Sequence, residues 1–561
     1  MLLSSYASTG RVYVMVEPRS ATTSSAWSLV PTAGSGSTVD RTLKRSPPTD
    51  QIQCHFEFSL LQKMLAWAPV LLLLCVYSIQ ADIYANPMDD YTDHPCKRPC
   101  DQMSPARLCK YQWRVESYWT LSKACFDCPF NKSDCFLPHC VSTDGVSRGI
   151  TVVNRKLPGP SIEVCEGDTL EVEVYNDMQN SEGTSIHWHG ILQQGTPFMD
   201  GVTLITQCPI TSHSKFTYRF VARDPGTHYW HGHAGMQRAD GLFGALVVRQ
   251  APLNEVHYTL YDYDLSEHVM IVNDWLVQNT LMGFVAHHHD DGHNNPALML
   301  INGLGAHEKF TRGNEIYYTP RATFTVQGGK KYRFRVMGAA FMDCPIQISV
   351  DGHTMMMIAS DGNPFEPFTA DSFNIFAGER YDFVLYADKI SSLRNYWIRA
   401  RGLAQCQMQK AHQVALLKYA GAPDVDPPEP TDWDSSIRGG IKVDNLKFNH
   451  PDFYPLAYLE RSKHLYTPQM NRISSVLPGS PPLSQYDDVL ANQYCNEFTL
   501  QSRCDKDWCK CTHKLDVALE DLVELVVVGE GVTFNSNHPM HLHGFRFRIL
   551  KLDKVNTSMM L

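Results

Sequence analysis

The chain has 561 residues, a formal net charge of -10 and 43% hydrophobic residues. A single hydrophobic core rarely grows to this length, so two to four domains are expected. The acidic balance provides no basic surface for DNA or RNA, which excludes nucleic acid as an expected partner. Seventeen cysteines are many, and seven of them fall between Cys96 and Cys140. Such density predicts disulfides in an exported protein and metal ligands in a cytosolic one.

The first 85 residues contain an export signal in an unusual position. Residues 1–63 are rich in Ser and Thr without periodicity, which predicts disorder or a spurious extension. Residues 64–85 hold the apolar run Val70-Leu-Leu-Leu-Leu-Cys75, whose length is typical of a signal peptide rather than of a membrane span of about 20 residues. Met64 is therefore a candidate start. The alternative is a signal anchor, so a membrane contact is expected only if residues 65–79 are retained.

This signal decides how the segment after it is interpreted. Residues 86–140 are polar and cysteine-rich, and beside an export signal we expect disulfides there rather than zinc or redox chemistry. Asn131-Lys-Ser133 is an acceptor sequence for N-glycosylation. The sequence therefore predicts a secreted, extracellular glycoprotein.

From Val141 onward the pattern changes to β-strands. Thr169–Tyr175 alternates apolar and polar residues, and Arg321–Val326 and Lys331–Val336 flank a Gly-Gly turn that predicts a hairpin. Three units with a similar rhythm of strands are typical of a repeated β-sandwich module. The predicted boundaries are 141–250 for the first unit, 251–421 for the second, 422–440 for a Pro- and Asp-rich linker and 441–561 for the third.

Three His-x-His pairs lie beside these strand patterns, although they are far apart in the chain. They are His187-Trp-His189, His231-Gly-His233 and His541-Leu-His543, whereas chance gives about one such pair. On a strand, residues two apart share a face, so each pair can present two imidazoles to one side. Six converging histidines without nearby carboxylates favour copper over magnesium or calcium and exceed the four ligands of a structural zinc site.

The residues around these pairs resemble the copper motifs of multicopper oxidases. His-Trp-His-Gly from His187, Trp-His-Gly-His from Trp230 and His-Pro-Met-His-Leu-His-Gly from His538 look like three of the family's four motifs. The cysteine-rich lead-in, with Thr120–Cys125 and Pro138–Val141, is similar to that of insect laccases. The resemblance implies an all-β fold of three cupredoxin-like β-sandwich domains, the third incomplete, behind the cysteine-rich segment. It also implies a trinuclear copper cluster between the first and third domains.

The resemblance assigns roles to individual residues. The implied ligands are His187 and His541 for type 2 copper, His189, His231, His233 and His543 for type 3 copper, and His538 for type 1 copper. Asp200, in Phe198-Met-Asp-Gly201, matches an acidic residue near the cluster, where a carboxylate can relay protons to oxygen. Without the resemblance, an Asp-Gly turn would be the simpler interpretation. His228 matches no ligand and is expected to support the site.

The implied activity is laccase-like. Type 1 copper takes electrons singly from diphenols or aromatic amines, and the cluster reduces dioxygen to water. The fourth motif, His-Cys-His-x-x-x-His, is absent from Gly544–Leu561, which leaves the type 1 site incomplete. We therefore expect a fragment of a functional oxidase. The alternatives are a ferroxidase or ascorbate-type oxidase of the same family, and an inactive copper-binding short isoform.

Two further groups of possible ligands are interpreted as structural. His287-His-His289 and the nearby His293 lie in what the sequence predicts to be a solvated polar loop rather than a metal site. Cys509-Lys-Cys511 and His513 could hold zinc or copper, but a disulfide beside a surface histidine is expected.

Overall fold

A computed structural model describes residues 11–16, 91–289, 295–342, 344–390, 394–435, 469–470, 473–496, 499, 509–528 and 539–553. The predicted signal segment at 64–85, His293 and His538 lie outside these residues, as does most of the predicted extension at 1–63. In the described part of the chain, no helix is both long and apolar enough to cross a bilayer.

The first β-sandwich is built from two four-stranded sheets. The strands before residue 250 are β1 (Arg11–Val16), β2 (Leu108–Trp119), β3 (Gly149–Val153), β4 (Ile162–Cys165), β5 (Thr169–Asn176), β6 (Ile186–His189), β7 (Lys215–Val221), β8 (Gly226–Gly232) and β9 (Phe243–Arg249). One sheet has the order β3-β2-β5-β7 and the other β4-β9-β8-β6. Strand β5 alternates buried and half-buried residues, as its sequence predicts. Strands β6 and β8 are almost continuously buried because both faces of their sheet are covered.

The second β-sandwich follows, with one helix. Its elements are β10 (Val269–Trp275), α1 (Thr280–His289), β11 (Leu298–Ile301), β12 (Phe310–Arg312), β13 (Glu315–Tyr317), β14 (Thr323–Val326), β15 (Lys331–Gly338), β16 (Ile346–Val350), β17 (Met355–Ser360), β18 (Asn363–Ala370), β19 (Ser372–Ile375), β20 (Arg380–Tyr386), β21 (Tyr396–Gly402) and β22 (His412–Tyr419). Sheets β11-β10-β15-β20-β17-β18 and β14-β22-β21-β16-β19 enclose a common apolar core, and β12 pairs with β13. The all-β prediction is confirmed.

Two local predictions in this region are wrong. Strands β14 and β15 do not form a hairpin, because β14 pairs in parallel with β22 whereas β15 pairs antiparallel with β20. The Gly328-Gly329 link carries the chain from one sheet of the sandwich to the other. The predicted loop at His287-His-His289 is the end of helix α1, whose Leu, Met and Ala residues favour a helix despite Gly283.

The third region holds the last described strands. They are β23 (Ile473–Ser475), β24 (Tyr494–Cys495), β25 (Cys509–His513), β26 (Val523–Val528) and β27 (Arg548–Asp553). They form the sheets β23-β25-β24 and β26-β1-β27. The expected strand at His541–His543 is wrong, since this segment is a turn with an isolated bridge at Leu542.

All seven cysteines between Cys96 and Cys140 are in disulfides, as predicted. Disulfides join Cys96 to Cys109, Cys100 to Cys165, Cys125 to Cys140, Cys128 to Cys135, Cys344 to Cys406 and Cys495 to Cys511. Cys509 is also disulfide-bonded, so the Cys509-Lys-Cys511 segment is not a dithiol metal site. Cys208 is exposed and carries a free thiol.

Candidate metal centre

Two neighbouring strands of the first sandwich present the first histidines. Antiparallel pairing of β6 with β8 places His187 opposite His231 and Trp188 opposite Trp230. Because side chains alternate between faces, the tryptophans enter the core and the histidines share the other face. His187, His189 and His231 are all buried.

The third region brings two more imidazoles against this face. The ring of His541 stacks on that of His189, with centroids 4.1 Å apart. The ring of His543 lies 4.3 Å from His187, and that of His233 lies 5.1 Å from His543. The structure therefore brings together six of the seven predicted ligands, although His541 and His543 are more than 300 residues from the others. The seventh is His538.

The nitrogens of these rings converge closely enough to bind metal. One ring nitrogen from each of His187, His189 and His231 lies within 4.8 Å of the other two, and the same holds for His187, His541 and His543. The Nε2 atoms of His187 and His541 are buried and have no hydrogen-bond partner. Such atoms are costly in a folded protein, and a soft or borderline cation such as copper would satisfy them. The donor set therefore fits copper.

The surroundings favour the neutral form of five of the six imidazoles. Burial, followed by nearby positive charge, lowers the pKa of five of the six histidines: His189, His231, His233, His541 and His543. Metal binding needs the unprotonated ring, so the site is prepared for a cation before one arrives.

Asp200 joins the two groups of histidines. Its backbone carbonyl accepts a hydrogen bond from Nδ1 of His187 at 2.8 Å, and its Oδ2 accepts one from Nδ1 of His543 at 2.9 Å. Both rings thus use Nδ1 for the protein and leave Nε2 for a ligand. Burial alone would raise the pKa of the Asp200 carboxyl, but the imidazoles of His187 and His543 hold it well below its usual range.

Two glycines are required by the close packing around these histidines. Gly201 has a φ of +78°, and a Cβ there would lie 1.8 Å from the backbone oxygen of Ile186. Gly190 has a φ of +102°, and a Cβ there would lie 2.2 Å from Nδ1 of His228. Only glycine lets the Asp200 turn lie so close to Ile186 and the end of β6 lie so close to His228.

Three residues near the histidines were missed by the sequence analysis. Tyr229 stacks on His189 with ring centroids 4.8 Å apart, and period-two alternation along β8 could have placed it there. Asp224 accepts a hydrogen bond from the backbone amide of Leu192 and another from Arg546, each at 3.0 Å. No sequence pattern links these last two side chains. His228 donates from Nε2 to the backbone oxygen of Asp224 at 2.9 Å.

Comparisons with known proteins identify the family. Models described as multicopper oxidase match residues 138–252, 266–422 and 477–559. A laccase-4 from Trametes villosa is 37% identical over 292 residues, which are 51% of this chain and 53% of that protein, so the alignment spans about half the relative's length. A laccase-4 from Thanatephorus cucumeris is 31% identical over 448 residues, 73% of this chain and 77% of the relative. A laccase from Trametes hirsuta is 30% identical over 443 residues, 73% of this chain and 76% of the relative.

A solved structure of a mutant laccase from B. aclada has the same fold. It covers 70% of each chain with a TM-score of 0.52 and 24% sequence identity. Its cupredoxin-like architecture agrees with the two β-sandwiches and with the three successive family matches. This chain therefore belongs to the multicopper oxidase family, whose members are copper-dependent oxidoreductases that use oxygen.

Proposed function

We propose that this protein is a laccase-like oxidase that couples one-electron oxidation of diphenols or aromatic amines to the reduction of dioxygen to water. The observation that carries the proposal is the convergence of six buried or half-buried imidazoles, two of which have unpartnered Nε2 atoms. A site of histidines around shared space is suited to copper, and the similarity to laccases points to phenolic substrates.

The ligand roles follow the family motifs. In this proposal, His187 and His541 hold type 2 copper, and His538 belongs to the type 1 site. The remaining four hold the type 3 pair: His189, His231, His233 and His543. Ring contacts of 4.1 to 5.8 Å link the six clustered histidines, which supports one shared copper site.

The protein's own residues would orient the copper ligands and deliver protons to oxygen. When bound, copper supplies the one-electron redox chemistry that connects phenol oxidation to oxygen reduction. Burial keeps the imidazoles of His189 and His541 neutral. Asp200 fixes the orientation of His187 and His543, and its ionised carboxylate can relay protons toward oxygen.

The disulfides support a location outside the cytosol. Four of them staple the segment from Cys96 to Cys165, and such bonds persist in oxidising compartments. Asn131 is exposed at the start of a short 3-10 helix, where an attached glycan would meet solvent. We therefore propose a secreted, extracellular glycoprotein.

The test combines metal analysis with an oxygen assay. The purified protein is loaded with copper, and copper per chain, the Cu(II) electron paramagnetic resonance spectrum and oxygen consumption are measured. We expect several copper ions per chain and faster oxygen uptake with a diphenol than with ferrous ion or ascorbate. Preference for ferrous ion or ascorbate would move the assignment to one of those oxidase classes.

A matched pair of variants ties the result to the site. His541→Ala with His543→Ala removes two histidines of the cluster, whereas His213→Ala removes an exposed histidine of the first sandwich, outside the cluster. We expect loss of copper and oxygen uptake only in the first variant. Equal copper content in both would overturn the ligand assignment.

A further inference from the structure

We propose that Asp224 is a positioning residue that locks the two histidine-bearing loops of the copper site to each other. Its carboxylate takes one hydrogen bond from the loop after His189 and one from the loop after His543. The inference rests on the proposed copper site and assigns a role to a residue outside the family's motifs.

The two contacts are equivalent in sequence and distance. Leu192 is the third residue after His189, and its backbone amide donates to Oδ2 of Asp224 at 3.0 Å. Arg546 is the third residue after His543, and its Nη2 donates to Oδ1 at 3.0 Å. One carboxylate therefore fixes the same point of both loops.

Asp200 repeats this arrangement closer to the metal ligands. Its Oδ2 accepts a hydrogen bond from His543, and its Oδ1 lies 3.3 Å from Nδ1 of His187. Each aspartate thus points one oxygen to the first sandwich and the other to the third region. Asp200 acts on the rings themselves, and Asp224 acts on the bases of the loops that carry them.

Asp224 is itself held in place by the first sandwich. The residue is 7% exposed, and its backbone oxygen accepts the hydrogen bond from the buried ring of His228. That ring packs directly beneath Gly190, the residue that follows His189. Because Asp224 is buried and bonded to the first sandwich, its contact with Arg546 helps to set where the His541-Leu-His543 loop lies relative to His189.

The contacts of Asp224 affect the distance between the two groups of ligands. The stacked rings of His189 and His541 come from the two loops that Asp224 joins. A shift of about 1 Å between ligands is enough to weaken a metal site. We therefore infer that loss of the Asp224–Arg546 contact loosens copper without unfolding either part of the protein.

The test compares this pair with a similar pair that does not touch the site. In Arg546–Asp224 the side chains are 41% and 9% exposed, and in Arg155–Glu116 they are 38% and 12% exposed. The copper-loaded variants are Arg546→Ala, Arg546→Lys, Asp224→Asn, the double variant Arg546→Ala with Asp224→Asn, and the control Arg155→Ala. Copper release to a chelator and the Cu(II) hyperfine splitting are measured, with near-ultraviolet circular dichroism to verify the fold.

We expect Arg546→Ala and Asp224→Asn each to speed copper release about tenfold or more, the range seen when residues that orient metal ligands are lost. The double variant should release copper no faster than the worse single variant, because both remove one interaction. Arg546→Lys, which retains the charge, should recover part of the loss, and Arg155→Ala should match the wild type.

Two outcomes separate this inference from the proposed function. If the wild-type protein binds no copper, the proposed function fails. If the wild type retains copper and Arg546→Ala releases it at the rate of Arg155→Ala, the inference fails while the proposed function stands.

Discussion

Asp200 is placed where a single side chain can influence ligands from both parts of the candidate site. Its contacts with His187 and His543 involve nitrogens that face away from the shared space. A partner that accepts from Nδ1 makes the ring more basic at Nε2 and fixes its direction. The same carboxylate is ionised in the folded protein, because the neighbouring imidazoles lower its pKa.

We expect Asp200→Asn to lower the rate of oxygen consumption roughly 10- to 100-fold. An asparagine keeps the size of the side chain, but its NH2 group opposes one of the two donating imidazoles and cannot carry a proton. The measurement is the oxygen-uptake rate from pH 4 to 8, at matched copper content.

The control for this variant is Asp177→Asn, which changes an aspartate 3.8 Å from the exposed His213. Its rate and pH profile should equal those of the wild type. An Asp200→Asn enzyme with wild-type rates at every pH would exclude a role for this carboxylate in orienting ligands or moving protons.

The buried ring of His228 makes the copper-free protein less stable as the pH falls. Burial, reinforced by the guanidinium of Arg380, lowers the pKa of His228 to about 3, compared with about 6.5 in an unfolded chain. The folded state therefore resists protonation, and the stabilisation is complete above pH 6.5 and is lost as the pH falls toward 3. One such group changes the unfolding free energy by about 1.4 kcal/mol per pH unit in this window.

We expect His228→Phe to reduce the slope of unfolding free energy against pH between 6.5 and 4. Urea unfolding of the apoprotein at several pH values measures it, and the baseline change from the lost bond to Asp224 does not affect the slope. His213→Phe, on the surface, should keep the wild-type slope. Identical slopes in His228→Phe and the wild type would mean that the buried ring accepts a proton without cost.

At the scale of elements, one face of strands β6 and β8 packs into the core, and the other face carries candidate metal ligands. Their tryptophans, Trp188 and Trp230, face Trp113 of β2 with ring centroids 5.7 and 4.4 Å away. The candidate metal ligands on these strands face the opposite side. The packing of these tryptophans in the core therefore fixes the position of the candidate ligands on the other face of the sheet.

We expect Trp188→Ala to lower the unfolding free energy of the first sandwich by roughly 3 to 5 kcal/mol, since it leaves a large cavity in a packed core. Trp119→Ala is the matched control, because this tryptophan is 54% exposed and its removal creates no cavity. Denaturant unfolding followed by near-ultraviolet circular dichroism measures both. Similar losses in the two variants would contradict the proposed division of faces.

The elements also show what the sequence could predict. The strand at Thr169–Tyr175 and the histidine pairs were accessible because alternation and motif spacing are local. The pairing of β14 with β22 could not be predicted, since the same alternation of residues fits a hairpin or a crossing between sheets. The turn at His541–His543 and the contact of Asp224 with Arg546 depend on the approach of distant segments, and no local pattern records that approach.

At the scale of the whole molecule, the second sandwich supports the strand that carries His231. Thr227 of β8 donates to Oδ1 of Asp382 at 2.6 Å and accepts from Arg335 at 2.8 Å. Arg333 and Asp382 form a buried ion pair beside them. Breaking a pair of this kind leaves a buried charge, so Asp382 stays in place and holds β8 through Thr227.

The first sandwich and the third region meet through the histidines, so copper should join them. Binding of a metal to the folded state alone stabilises that state, by about 4 kcal/mol when the free metal is 1,000 times its dissociation constant. We expect removal of copper with a chelator to lower the melting temperature, and copper added back to restore it. The His541→Ala and His543→Ala double variant should melt at the same temperature with and without copper, because it lacks both histidines that the third region contributes to the cluster. Differential scanning calorimetry of the four samples measures this, and a copper-dependent rise that persists in the double variant would place the stabilising metal elsewhere in the protein.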